Sequence, residues 1–163
     1  MKNLKTGNTL QILKGFEFPI SNVSFTQDES GFYFSSDFAS DPKWNGAGIS
    51  ELYFYDIASQ RAQKVNIDWS LGLGNGFNVN GNDVVASLAN KATMKLAYLK
   101  KQGSNWSKSV IDLGAKNDHV TIEAIADNSS KVIFSHSTAS KLPQYFVADI
   151  KGSKFQNEST FIT

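Results

Sequence analysis

The chain has no cysteine, which removes disulfides, thiolate nucleophiles and cysteine-ligated zinc or iron–sulfur sites together. The fold therefore rests on packing alone. Only two histidines are present, His119 and His136, so imidazole chemistry has few places to occur. Lysine and arginine total 16 against 15 acidic residues, a formal net charge of +1, and the lysines are spread along the chain. Nucleic-acid binders usually gather a basic excess on one face, so no nucleic-acid partner is expected. No apolar run approaches the ~18 to 20 residues of a helical membrane span, and Met1 to Gly7 lacks the apolar core of a signal peptide. The expectation is a soluble chain with no membrane partner, in either the periplasm or the cytoplasm. A convincing amphipathic helix of three turns is also missing; only 42–48 and 88–94 have room for a helical turn.

What remains is 163 residues with 40% hydrophobic content, enough for one domain with a core, and the apolar residues fall in short alternating runs. Ile20 to Thr26, Phe32 to Ser36, Glu51 to Ile57 and Ala62 to Ile67 read as four strands, with turn residues at Gln27 to Gly31 and Ala58 to Arg61. The pattern restarts after Trp69, with Gly74 to Asn80, Asp83 to Leu88, Lys95 to Leu99 and Trp106 to Ile111. It restarts again after Gly114, with Val120 to Ile125, Lys131 to Ser135, Gln144 to Ala148 and Ser159 to Ile162. Ahead of these, Asn8 to Leu13 reads as a strand with Leu10 and Ile12 on one side, the end of a preceding unit.

A four-strand unit recurring every ~45 to 50 residues predicts an all-β chain, a β-propeller fragment of about three four-stranded antiparallel blades plus a stub. The stub is 1–19 and the blades are 20–68, 69–115 and 116–163. A sandwich of about a dozen strands is the alternative all-β reading. Propellers have ~4 to 8 blades, so each end of a three-blade array leaves a face without a neighbour. At roughly 800 Å² such a face would forgo up to about 20 kcal/mol of apolar burial. Three blades alone are expected to be poorly stable or sticky.

Certain phrases carry a family likeness. The run from Ile20 through Phe25, Gln27, Asp28 and Gly31 to Asp37 looks like a blade entry of the form W-S-P-D-G-K followed by F-x-S. Ser50 to Ile57 matches an x-L-Y-x-Y-D-L strand, and Val132 to Ile150 looks like a last blade, where F-S-x-S followed by P-x-x-L/F-Y-V-x-D-L is usual. In these phrases and in the order of its repeats, the chain resembles the propeller of the prolyl oligopeptidase family of serine peptidases, especially the acylaminoacyl-peptidase and dipeptidyl-peptidase branches. It departs from the family at Asn78 to Asn82, where Ser-Pro-Asp is usual.

The resemblance implies a non-catalytic propeller that gates peptide access to an α/β-hydrolase domain not included in this chain. The family's Ser-His-Asp triad sits in that domain, so no catalytic residue carries over and no enzyme activity is expected of this chain alone. The implied partners are a peptide substrate, reached through the hydrolase domain, and further blades or a second copy. The phrases are shared with TolB-type propellers, so a TolB-like binding module without an enzyme is the alternative.

Read for chemistry, the residues offer little beyond a scaffold. The strained nucleophile elbow Gly-x-Ser-x-Gly does not occur. His136, between Ser135 and Ser137, and His119, beside Asp118, read as ordinary histidines. Gly72 to Gly76 lacks phosphate-loop spacing and reads as a loop between blades. Asn78 to Asp83 has oxygen ligands but no closing glutamate for calcium, and reads as a hairpin, so neither metal nor cofactor is expected. Asp56 and Asp149 end matching strands and read as turn acceptors rather than an acid/base pair. The Asn-x-Ser sequons at Asn22, Asn105, Asn128 and Asn157 read as chance. The long insertion from Asp37 to Gly48 is the preferred site of substrate or partner contact, through Phe38, Asp41, Lys43 and Trp44, because loops carry function more often than the scaffold beneath them.

Overall fold

A computed structural model describes residues 6–39, 41, 43, 48–117, 119–126 and 130–160. It is all-β and propeller-like, with three four-stranded antiparallel sheets following one another along the chain. Sheet one holds β1 (Ile20–Phe25), β2 (Gly31–Phe38), β3 (Ile49–Asp56) and β4 (Arg61–Lys64). Sheet two holds β5 (Leu73–Asn80), β6 (Asp83–Asn90), β7 (Thr93–Gln102) and β8 (Asn105–Val110). Sheet three holds β9 (Val120–Ile125), β10 (Lys131–Thr138), β11 (Lys141–Lys151) and β12 (Lys154–Thr160). Each sheet is a meander in which every strand pairs with the next. β5 lies against both β1 and β9, so the first strands stand side by side as the inner strands of propeller blades do. A two-sheet sandwich has no such arrangement.

Burial follows position within the sheet. The second strands of sheets one and two are covered on both faces: Phe32, Tyr33, Phe34, Ser35 and Ser36 of β2 are all buried, as are Val84 to Leu88 of β6. Strands of that kind read as continuous runs rather than alternation. The fourth strands, at the rim, are mostly polar and exposed, as in Arg61–Lys64. One core cluster joins sheets one and two through Tyr33, Leu52, Phe54, Val84, Leu88 and Leu99. A second joins sheets two and three through Val85, Leu96, Val120, Phe134, Phe146 and Ile150.

Four details differ from the reading of the sequence. The segment before β1 forms no strand in residues 6–19, with only an isolated bridge at Thr9. Leu13 (φ 55°) and Gly15 (φ 81°) adopt left-handed backbone, and the resulting turn brings Ile12, Leu13 and Phe16 onto the outer face of sheet one, over Phe32, Phe34 and Tyr55. Phe16 stands edge-on to Phe34 and to Tyr53, each at 5.2 Å. The face expected to be sticky is thus covered by the chain's own preceding residues. At the other end, the outward face of sheet three mixes half-buried Ile133 and Val147 with Thr121, Ser135 and Asp149.

Residues 88–94 hold no helical turn. Leu88 pairs with Lys95 and Asn90 with Thr93, and Lys91 takes φ 57° so that the chain reverses within two residues. The other segment read as a possible helical turn, 42–48, falls largely outside the described residues. The glycine-rich stretch is a strand opening rather than a loop: β5 starts at Leu73 and carries a bulge between Leu73 and Gly76. Gly72 (φ 69°) is buried so closely that a Cβ there would collide with Ile49 Cγ2 and the Ser50 carbonyl oxygen. The last strand begins at Lys154 rather than Ser159, because Phe155 pairs with Ile150 and reaches the second core.

Candidate functional site

The insertion between β2 and β3 leaves sheet one where Phe38 pairs with Ile49. Its described members do not converge. Phe38, 38% exposed, turns its ring edge to Phe18 at 5.6 Å. Asp41 and Lys43 are both exposed, and Asp41 Oδ1 accepts the Lys43 backbone N–H at 2.9 Å, a local turn contact. Trp44 lies outside the described residues. Next to Ile49, a cleft of about 300 Å³ lies between the outer strands of sheet one and the linker 65–72 that leads to sheet two. Its charges are largely compensated: Lys64 pairs with Glu51, and Lys108 Nζ donates to the Asp68 carbonyl at 2.7 Å while lying 5.4 Å from the Trp69 ring centre. Burial and the neighbouring Glu51 push the Tyr53 phenol up to about 12.

A second place is the axis. A pocket of about 250 Å³ is lined by Ser24, Phe25 and Gln27 of sheet one's first hairpin, Val79, Asn80 and Gly81 of sheet two, and Ala126 after β9. Sheets one and two and the turn after β9 contribute to it. The Gln27 N–H donates to the Gly81 carbonyl at 3.0 Å, which ties the hairpin ends of sheets one and two at this mouth. Gly81, at φ 65°, supplies the left-handed turn that lets Asn80 pair with Asp83. The stretch that superficially offers calcium ligands is therefore a hairpin.

The remaining polar candidates are committed to the scaffold. Asp56 Oδ1 accepts the Ser59 N–H at 2.7 Å, and hydrogen bonds from Ser59 lower its pKa. Asp149, at the matching strand end, is held instead by side chains: Lys131 Nζ at 2.7 Å, Asn157 Nδ2 at 2.8 Å and Ser130 Oγ at 3.1 Å. The Lys131 contact leads in bringing its carboxyl down to about 2. Ser135 and His136 are successive residues of β10, so their side chains leave opposite faces of the sheet. The Ser135 hydroxyl donates to Glu123 Oε1 at 2.5 Å, and the two cannot form a nucleophile–base pair. The His119 carbonyl accepts the Ser137 N–H at 3.3 Å. Among the described residues, no three histidines, aspartates or glutamates are gathered as a metal site.

Sequence reading missed a hydrogen-bond chain that crosses the first interface. Trp106 Nε1 donates to the Tyr33 hydroxyl at 2.9 Å, which donates to the Asn82 carbonyl at 2.7 Å, and Asn82 Nδ2 donates to Asp28 Oδ2 at 2.8 Å. Burial pushes the Tyr33 phenol up to about 12. The backbone and side-chain bonds of Ser30 lead in drawing Asp28 down to about 2. The only signal in the sequence is an aromatic at position 33 on a strand that also reads as continuous core. No family model matches this chain, and comparison with curated proteins and with solved structures gives no match either.

Proposed function

We propose that the chain is the non-catalytic propeller portion of a prolyl-oligopeptidase-like serine peptidase, limiting the access of peptides to an α/β-hydrolase domain. The observation that carries this reading is the axial pocket between Ser24 of sheet one, Asn80 of sheet two and Ala126 in the turn after β9, under inner strands that stand side by side. Blades arranged in this way present a mouth on their axis, the position from which a propeller can filter by size what reaches a domain stacked on it. Hydrolysis itself is Ser-His-Asp acyl transfer and belongs to that other domain.

Two measurements test the reading. The purified chain is expected not to turn over a peptide p-nitroanilide; turnover abolished by a serine-directed reagent overturns it. The gene is expected to encode a Gly-x-Ser-x-Gly hydrolase segment in the same polypeptide, and a gene without one also overturns it. A TolB-like binding module with no enzyme is the second reading. The observation favouring it is an aromatic-walled cleft at the rim, between sheets one and two and away from the axis.

A further inference from the structure

The rim cleft has a volume of about 400 Å³, within the range of small-ligand sites. Its walls come from equivalent places in two sheets. Phe54 of β3 and Trp106 of β8 meet edge to face at 5.8 Å. The Trp106 ring is held by its N–H bond to Tyr33, so the apolar floor is formed before any ligand arrives. Arg61, opposite Asp56 at the start of β4, and Lys101, near the end of β7, bring one cation from each sheet. Lys101 Nζ lies 4.8 Å from the centre of the Phe54 ring.

Among the described residues no ion pair within 4 Å ties the charges of this cleft together, although the Lys101 charge acts on Asp56 and, after the Ser59 hydrogen bonds, helps lower its pKa. Asp56 directs Oδ1 to the Ser59 turn, and no ion pair joins it to Arg61 although the two are cross-strand partners. Arg61 and Lys101 against Asp56 leave a local excess of one positive charge. That balance suits a singly charged anion and disfavours a dianion, which Asp56 would repel. The guanidinium fork matches a carboxylate with two parallel bonds. β4 is also the outer edge strand of sheet one, so its outward backbone groups face away from any partner strand and can meet an extended chain.

We propose that this cleft binds a carboxylate-bearing peptide segment: Arg61 and Lys101 take the acidic group, and an adjacent apolar side chain rests on Trp106, which backs onto the buried Phe54. The assignment is independent of whether a hydrolase domain accompanies the chain. Trp106 makes the test direct. Titration of the full chain with N-acetyl-Leu-Glu-amide should change tryptophan emission saturably. N-acetyl-Leu-Gln-amide should bind about tenfold more weakly, as expected for loss of a charge-assisted pair. Arg61→Ala should weaken the Glu peptide by a similar factor of about ten, with Arg61→Lys between the two, and added salt should weaken binding of the charged peptide alone.

Arg61 is exposed, so these variants are expected to keep the far-ultraviolet circular dichroism of the parent, and the Glu/Gln comparison needs no variant. Equal affinity for the Glu and Gln peptides, no saturable response in the unaltered chain, or undiminished binding by folded Arg61→Ala overturns the proposal. Inorganic phosphate binding more tightly than the Glu peptide overturns the carboxylate assignment.

Discussion

The indole N–H of Trp106 donates to the hydroxyl of Tyr33 across 73 residues of chain, from the rim strand of sheet two to the second strand of sheet one. Tyr33 passes the bond on to the Asn82 carbonyl. Tyr33→Phe keeps the ring and removes only the relay, leaving a part-buried donor and acceptor unmatched at once. It should cost about 1 to 3 kcal/mol, read as a lower urea midpoint with unchanged m-value, and should shift Trp106 emission. An unchanged midpoint would show that both groups find other partners.

Ser87 Oγ is a buried hydroxyl with no hydrogen-bond partner among the described residues. It lies on β6 between Gly76 and Leu96. Removing an unsatisfied polar atom relieves its desolvation cost, so Ser87→Ala should raise stability by about 1 kcal/mol. Calorimetry checks this, and a lower melting temperature would contradict it.

Gly72 and Gly103 share left-handed backbone, at φ 69° and 63°, but not surroundings. A Cβ at Gly103 meets nothing within 4 Å, whereas one at Gly72 collides with Ile49 and the Ser50 backbone. Gly103→Ala should cost roughly 1 kcal/mol, the conformational penalty alone. Gly72→Ala should cost at least about 2 kcal/mol more, because backbone must move. Equal losses in paired urea titrations would show that the Gly72 surroundings give way freely.

Asp28 and Asp149 are both lowered from 3.8 to about 2 in the folded chain. A depressed carboxylate stabilises the fold above its unfolded pKa, and that contribution is lost as pH falls through the folded value. Stability should therefore hold above about pH 4 and decline between about pH 4 and pH 2. Asp149→Asn, which removes the charge facing Lys131, should flatten the decline measured by urea midpoint against pH. A profile as steep as that of the parent would assign the loss to other groups.

Phe16 is the pivot of the segment over sheet one's outer face, in contact with Phe34 and Tyr53. Phe16→Ala should cost about 2 kcal/mol of apolar burial and expose aromatic surface. Sedimentation should then show association that rises with concentration. A monodisperse variant would mean that Ile12 and Leu13 cover the face without it.

Much of the sheet order was legible because hairpins are local. Asp28 to Gly31 and Gly81 to Asn82 announce turns, and the alternation in Ile20 to Thr26 places one strand. What escaped depends on partners distant in sequence. Leu10 and Ile12 alternate like a strand, yet residues 6–19 form none, and Ile12 packs on the aromatic face. Gly72 to Gly76 look loop-like until Ile49 and Met94 are seen to occupy the space that side chains would need. The insertion drew attention by length and composition, whereas the rim cleft is built from Phe54, Arg61, Lys101 and Trp106, ordinary residues of two separate repeats.

The meander order has a consequence for how the chain folds. Spatial neighbours within each sheet are neighbours in sequence, and the two larger cores join only successive sheets. Each pairing closes a short loop, at small entropic cost, and every completed sheet offers an apolar surface on which the next can assemble. Folding can thus advance from the N-terminal sheet while later strands are still being synthesised. The segment around Phe16 is made before sheet one and is at hand to cover that sheet's outer face before the second sheet exists.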